Sequence, residues 1–110
     1  MTTAIIANFE KLLDGPRDGA LLRYSLGNEW LKAGDAAQAV AHLREAVARD
    51  ANFSAAWKLL GKALAESGQT AAALAAYEQG IVVAEARGDV QAAKEMSVFA
   101  KRLKQQVSGA

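Results

Sequence analysis

Two lysines and an aromatic–amide pair are the side chains of this sequence best suited to binding chemistry. Lys58 and Lys62 are four residues apart, so on a helix their two ammonium groups lie on one face. Tyr24 and Asn28 have the same spacing; the ring offers contact area and the amide can hydrogen-bond a peptide backbone. Ammonium groups favour carboxylates, so this set predicts a site that binds a ligand rather than one that transforms it.

Side chains for catalysis or metal binding are scarce. His42 is the only histidine and cysteine is absent, so no Cys/His metal site can be assembled. Neither a Gly-rich phosphate loop nor a serine elbow occurs. We therefore expect no catalytic residue, no metal and no cofactor, and we expect His42 to lie on an outer surface or at an edge.

The composition indicates a single domain with nearly balanced charge. The 110 residues can bury a modest core, and 13 Lys and Arg face 12 Asp and Glu, which argues against nucleic acid as a partner. No apolar run approaches the roughly 18 residues of a membrane span. Residues 1–13 carry Glu10 among apolar positions and do not have the pattern of a signal peptide. A cytoplasmic location is the expectation.

Six helices are predicted to position these side chains, because alanine is abundant and Pro16 is the single proline. The first is expected from about Thr3 to Leu13, capped by Thr2 or Thr3 and stopped at residues 14–16. The next five are predicted to start at residues with capping side chains: Asp18, Asp35, Asn52 or Ser54, Thr70 and Asp89. Three helices are predicted to close at glycines: Gly34, Gly68 and Gly88.

Residues 26–47 and 60–81 carry the same pattern at an offset of 34 residues. The matched positions include Leu26-Gly27 with Leu60-Gly61, Gly34 with Gly68, and Ala39 with Ala73. Glycine inside a helix costs about 1 kcal/mol relative to alanine. We therefore interpret Gly27 and Gly61 as places where two antiparallel helices approach closely.

The run Trp57-x-x-Leu60-Gly61-x-x-Leu64-x-x-x-Gly68, continued by Ala73, Tyr77 and Gly80, resembles the tetratricopeptide repeat signature. The resemblance implies an all-α fold, a right-handed superhelical stack of antiparallel helix hairpins in a single domain 1–110. Its parts would be an N-terminal helix in 1–16, repeats at 20–53 and 54–87, and a C-terminal capping helix in 88–108. Trp30 and Trp57 would be core anchors, although Arg23 stands where the second copy has Trp57.

In that family the first helix of each hairpin lines a concave groove that holds a peptide or a partner helix. The resemblance therefore implies a non-catalytic adaptor or scaffold whose partner is another protein or peptide, with an acidic one favoured by the lysines. Carried over by position, the groove would display Leu21, Tyr24, Asn28, Leu31 and Lys32 from the second helix. From the fourth helix it would display Ala55, Lys58, Lys62, Ala65 and Glu66. Tyr24 and Leu59 depart from the clamp of chaperone-binding members, so that specific partner is not expected.

Alternatives stay open at this point. The groove surface can be an ordinary solvated face, and a helical repeat can bind single-stranded nucleic acid where its groove is basic. Two repeats also leave apolar faces at the ends of the stack, so a self-associating structural subunit is a third reading. The first and last helices are predicted to cover these ends, with Lys94, Lys101 and Lys104 on a solvated face. We expect no membrane partner, and a monomer or a weak homo-oligomer.

Overall fold

The computed structural model describes the backbone of residues 2–108 and the side chains of residues 4–107, and this range folds into six α-helices without strands. The helices are α1 (Thr2–Glu10), α2 (Ala20–Lys32), α3 (Ala36–Arg49), α4 (Ser54–Glu66), α5 (Thr70–Ala86) and α6 (Val90–Ser108). The pairs α2–α3 and α4–α5 form two stacked hairpins. α1 packs on α2, and α6 packs on α5. The predicted all-α stack of helix hairpins is confirmed.

α1 ends at Glu10 rather than at the predicted Leu13. The backbone N–H of Leu12 donates to the carbonyl of Phe9 at 2.9 Å, and that of Leu13 to the carbonyl of Glu10 at 3.2 Å. This spacing tightens the last turn before Asp14, whose φ is +64°. The predicted capping of α1 by Thr2 or Thr3 lies outside the described side chains.

Two of the predicted caps form, and both are aspartates. The backbone N–H of Gln38 donates to Oδ1 of Asp35 at 3.1 Å, and that of Ala92 donates to Oδ1 of Asp89 at 3.2 Å. The three predicted glycine closures also form, since Gly34, Gly68 and Gly88 have φ of +85°, +81° and +75°.

The other predicted caps are wrong. α2, α4 and α5 begin after Gly19, Phe53 and Gln69, without a side-chain cap. Asp18 is engaged with Arg23, and the hydroxyl of Ser54 donates across the stack to Asp89 at 3.3 Å. Asn52 and Thr70, the remaining predicted caps of α4 and α5, do not cap these helices either.

Asp18 ties the loop between α1 and α2 to the first hairpin. Arg23 donates through Nε and Nη2 to the two carboxylate oxygens of Asp18, each at 2.9 Å. The backbone N–H of Asp14 donates to the same carboxylate at 2.9 Å, and Nη1 of Arg49 donates to the Asp18 carbonyl at 2.9 Å. The hydrogen bonds from Arg23 and Asp14 hold the pKa of Asp18 well below its usual range.

The second hairpin is closed by a related contact. Nη1 of Arg87 donates to the carbonyl of Asn52 at 2.6 Å, and Asn52 stands 34 residues after Asp18. In each repeat, an arginine at the end of the second helix therefore hydrogen-bonds to the loop that leads into the first helix of the hairpin. Neither contact follows from the repeat signature, because the two arginines are not at matched positions.

The core has a large part between the hairpins and a small part under α1. Leu43 and Leu64 in the large part are 0% and 1% exposed. In the small part Ile6 of α1 packs with Leu22 and Leu26 of α2. α1 therefore covers the outer side of the first hairpin as predicted. α6 covers the second hairpin, with its Met96 side chain fully buried at 0% exposure.

The two tryptophans are less buried than predicted for core anchors. Trp30 is half-buried and packs against both parts of the core, with its Nε1 buried and unpaired among the described residues. Trp57 is also half-buried, and its Nε1 donates to the carbonyl of Ala51 at 2.8 Å. Arg23, at the matched position of the first repeat, likewise reaches back to the preceding loop. At this position of the repeat, the side chain therefore links its helix to the preceding loop, whether it is arginine or tryptophan.

Gly27 and Gly61 each leave room for a large side chain of the facing helix. A Cβ built on Gly27 would lie 2.5 Å from Cγ of Leu43, and one built on Gly61 would lie 2.5 Å from Cε1 of Tyr77. Leu43 and Tyr77 are themselves 34 residues apart, so each glycine and the large side chain that packs against it recur together in the two repeats. The predicted close approach is present, and the glycine hydrogens lie against a large side chain.

Candidate interaction groove

A cavity of about 590 Å³ opens on the side of the stack where α2, α4 and α6 come together. α4 supplies most of its lining, because residues at spacings of three and four lie on one face of a helix. The lining consists of Tyr24 from α2, Ala55, Lys58, Leu59, Lys62, Ala65 and Glu66 from α4, Tyr77 from α5, and Phe99 from α6.

Four large side chains give the cavity an apolar floor, defined here as Tyr24, Leu59, Tyr77 and Phe99. The rings of Tyr77 and Phe99 have centroids 5.5 Å apart and planes inclined at 37°. Tyr24 packs in the same way on Phe53, at 4.9 Å. Burial raises the pKa of Tyr77 to about 12, so its phenol is protonated at neutral pH. The floor therefore offers mainly apolar contact.

The charged rim of the cavity is close to neutral. Nζ of Lys58 donates to Oε1 of Glu95 on α6 at 2.6 Å, and both side chains are 39% exposed. The hydrogen bond from Lys58 lowers the pKa of Glu95. Lys62 and Glu66 stand one turn apart, and neither forms an ion pair with another described side chain. The rim thus carries one ion pair, Lys58–Glu95, together with one unpaired cation, Lys62, and one unpaired anion, Glu66, among the described side chains.

The structure brings together only part of the predicted site. Tyr24, Lys58 and Lys62 line the cavity, as do Ala55, Ala65 and Glu66. Leu21, Asn28 and Leu31 do not line it, although they continue the same face along α2. Leu21 is 69% exposed, whereas Leu31 packs against the main core.

Four residues of the site are not in the groove set predicted from the sequence. Leu59 lies three residues before Lys62, so its place on the lining face was available from helical spacing alone. Tyr77 was predicted only as part of the repeat signature, and it serves as core and floor at once. Phe99 and Glu95 are on α6, where no repeat signal marks which residues turn toward α4.

The sequence model described as tetratricopeptide repeat matches residues 31–96 of this chain. The chain belongs to the tetratricopeptide repeat (TPR) family. It is 48% identical over 99 residues to the TPR repeat-containing protein PA0015 of Pseudomonas aeruginosa, an alignment that covers 90% of this chain and 94% of that protein. TPR proteins are generally protein-interaction modules and are typically not enzymes.

Solved structures show the same TPR-like stack. The solution structure of BPP2914 from Bordetella parapertussis has a TM-score of 0.79 and 39% identity, covering 93% of this chain and 89% of that one. The solution structure of a tetratricopeptide repeat domain protein from Salinibacter ruber has a TM-score of 0.72 and 30% identity, covering 82% and 90% of the two chains.

Away from the groove, His42, expected on an outer surface or at an edge, is half-buried in this TPR stack. It lies on α3 within electrostatic reach of Glu10, Asp18 and Arg23, and its Nδ1 is buried without a partner among the described residues. Burial lowers the pKa of His42, and the nearby Arg23 acts in the same direction. The described residues contain no group of three side chains that could hold a metal ion. They also contain no helix of the length and apolarity that a bilayer span requires.

We expect the free energy of unfolding to fall as the pH is lowered from about 7.5 to about 5.5. The folded-state pKa of His42 is the lower one, so the unfolded chain takes up the proton first. Stability is therefore full above the unfolded pKa and is lost as the pH falls toward the folded pKa. Denaturant unfolding at several pH values measures the slope, and His42→Gln should flatten it. An equal slope in His42→Gln would assign the pH dependence to other groups.

Proposed function

We propose that this TPR protein is a non-catalytic adaptor or scaffold that binds a peptide or a partner helix of another protein in the cavity between α2, α4 and α6. The observation that carries the proposal is an apolar floor, open to solvent, beside Lys62, which forms no ion pair with any described side chain. Apolar side chains that are accessible in a concave site are typical of binding sites and not of an ordinary solvated face, and Leu59 and Phe99 are accessible in this one.

The site favours a ligand with an apolar side chain next to a carboxylate. Leu59 and Phe99 supply contact area for the apolar group, and Lys62 lies at the rim where a carboxylate would meet it. Along α2 the proposed site continues through Leu21, Asn28 and Leu31, where the Asn28 amide can hydrogen-bond the ligand backbone. This arrangement supports the acidic preference expected from the sequence, with Lys62 as its main determinant.

Glu95 competes with such a ligand for Lys58. The Lys58–Glu95 pair is partly exposed, so it contributes little free energy. Replacing Glu95 by a ligand carboxylate as the partner of Lys58 therefore costs little. Removing the charge of Glu95 should therefore release Lys58 to the ligand. We expect Glu95→Gln to bind an acidic peptide more tightly than the wild type does, by about threefold to tenfold.

Fluorescence anisotropy with a matched set of labelled peptides tests the proposal. Each peptide carries a central leucine or phenylalanine, flanked by aspartate, by asparagine or by lysine. We expect the aspartate peptide to bind most tightly, with affinity falling as salt is added. Lys62→Glu should weaken this peptide by about tenfold and favour the lysine peptide, and Leu59→Ser should weaken all three.

Arg44→Glu is the matched control, because it makes the same charge change on α3, away from the cavity. Arg44→Glu should leave the order of peptides unchanged, and amide shifts on titration should map to α2, α4 and α6. If none of the peptides binds, or if the shifts map to α3 and its surroundings, the groove is not the binding surface. Binding of single-stranded RNA in place of peptide would reassign the function to nucleic acid.

A further inference from the structure

The face formed by α5 and α6 at the C-terminal end of the stack carries two cavities of about 350 and 610 Å³ that share Ser97. They lie end to end along the line where the two helices meet. Neither shares a lining residue with the groove cavity. This surface, called the α5–α6 face below, is therefore separate from the proposed peptide site.

Exposed apolar side chains are concentrated near this face. Of the six exposed large hydrophobic side chains among the described residues, four lie on α5 or α6. Val82, Val90 and Val98 are 59%, 60% and 49% exposed, and Val90 and Val98 line one of the two cavities. A helix that only covers the end of a stack would be expected to present a polar outer surface here.

The charges on the α5–α6 face form two rows of opposite sign. Glu78 and Glu85 are seven residues apart on α5, and Lys94 and Lys101 are seven residues apart on α6, so each pair lies along one side of its helix. Glu85 and Lys94 line one cavity, and Glu78 and Lys101 line the other. Each acidic residue therefore has a lysine at the same level on the neighbouring helix. Lys104 extends the basic row, and its Nζ lies 3.5 Å from Oε2 of Glu78 in a partly exposed ion pair within the chain.

This pattern is complementary to itself under one symmetry operation. A two-fold axis that lies in the interface, parallel to the helices, places the acidic row of one copy over the basic row of the other. A two-fold axis across the helices would place acid on acid and base on base, which is repulsive. A single arrangement of two identical faces thus buries the valines and brings the two glutamates of each copy opposite lysines of the other.

We propose that the α5–α6 face joins two copies of this chain in a two-fold dimer, with Glu85 opposite Lys94 and Glu78 opposite Lys101 of the second copy. The two helices have 17 and 19 residues, about 25 Å of length, and lie about 10 Å apart. Such a face buries on the order of 500 Å² per copy, at the low end for specific interfaces. The dimer is therefore weak, with a dissociation constant in the micromolar range, and it leaves both grooves open.

Sedimentation equilibrium of the full chain, from about 1 µM to about 1 mM, tests the proposal. The wild type should pass from monomer to dimer across this range. Glu85→Lys alone and Lys94→Glu alone should each raise the dissociation constant by about tenfold or more, because each creates two like-charge contacts. An equimolar mixture of the two variants should recover dimers, since the side chain introduced by Glu85→Lys in one copy then meets the one introduced by Lys94→Glu in the other.

Controls separate this interface from general effects of charge. Arg44→Glu, on the exposed surface of α3, should dimerise as the wild type does, and thermal melting should show that all the variants remain folded. A wild type that stays monomeric to about 1 mM overturns the proposal. So does a dimer that withstands both single reversals, or a mixture that fails to recover. These outcomes leave the peptide-binding proposal untouched, because that proposal is read from a different surface.

Discussion

Replacing Gly61 with leucine is expected to lower the free energy of unfolding by at least about 3 kcal/mol, because the space beside Gly61 is already filled. A Cβ alone would lie 2.5, 2.6 and 2.7 Å from three ring carbons of Tyr77. The ring cannot swing away freely, since Tyr77 is 4% exposed and packs on Phe99. The remaining leucine atoms would have to enter the same crowded space between α4 and α5.

Replacing Gly61 with alanine is expected to cost less, about 1–2 kcal/mol, because better helix propensity offsets part of the overpacking. Urea unfolding measures both variants, with Ala75→Leu on the exposed side of α5 as a control for added bulk. The Gly61→Ala cost should shrink in a Tyr77→Ala background, where the ring is missing. Should Gly61→Leu prove as stable as the wild type, close packing of α4 on α5 at this position would be refuted.

Ending the chain after Gly88 is expected to remove most of its stability. The truncation deletes α6, including Met96 at 0% and Leu103 at 7% exposure, each worth about 1.5–3 kcal/mol when buried. It also uncovers Gly80 and Tyr77 on α5, against which α6 packs. A loss of about 5 kcal/mol is comparable with the entire stability of a small domain.

Circular dichroism melting and light scattering measure the outcome, which should be a non-cooperative melt or association through the exposed side of α5. A chain ending at Lys104 is the matched control, because among described side chains it lacks only Gln105, Gln106 and Val107, all exposed. This control should melt within a few degrees of the full chain. If the chain ending at Gly88 melts like the control, α6 is a dispensable appendage and not part of the fold.

The groove and the α5–α6 face place different demands on α6. On one side the helix supplies Phe99 to the floor and Glu95 to the ion pair with Lys58. On the other side it presents Lys94 and Val98 at the end of the stack. One helix thus completes the proposed peptide site and carries the proposed interface, so the truncation after Gly88 should abolish both activities together.

The sequence by itself determined the repeat and the helix hairpins. The offset of 34 residues places Gly27 and Gly61 at the same depth in two hairpins, and a missing side chain can be read without coordinates. The glycines that end helices could also be identified from the sequence, because the positive φ at these positions is a requirement of the local backbone. The lining face of α4 followed from spacing alone, which is why Lys58 and Lys62 were assigned correctly to one surface.

Only the tertiary structure decided which groups those side chains meet. Asp18 had the sequence pattern of a cap, yet the arginines of two helices converge on it and α2 begins uncapped. Lys58 had the pattern of a free cation, yet Glu95, 37 residues away, neutralises it. Contacts of this range depend on how hairpins stack, and no local propensity encodes that geometry. The sequence therefore determined which surface faces the groove, and the fold determined how much charge that surface retains.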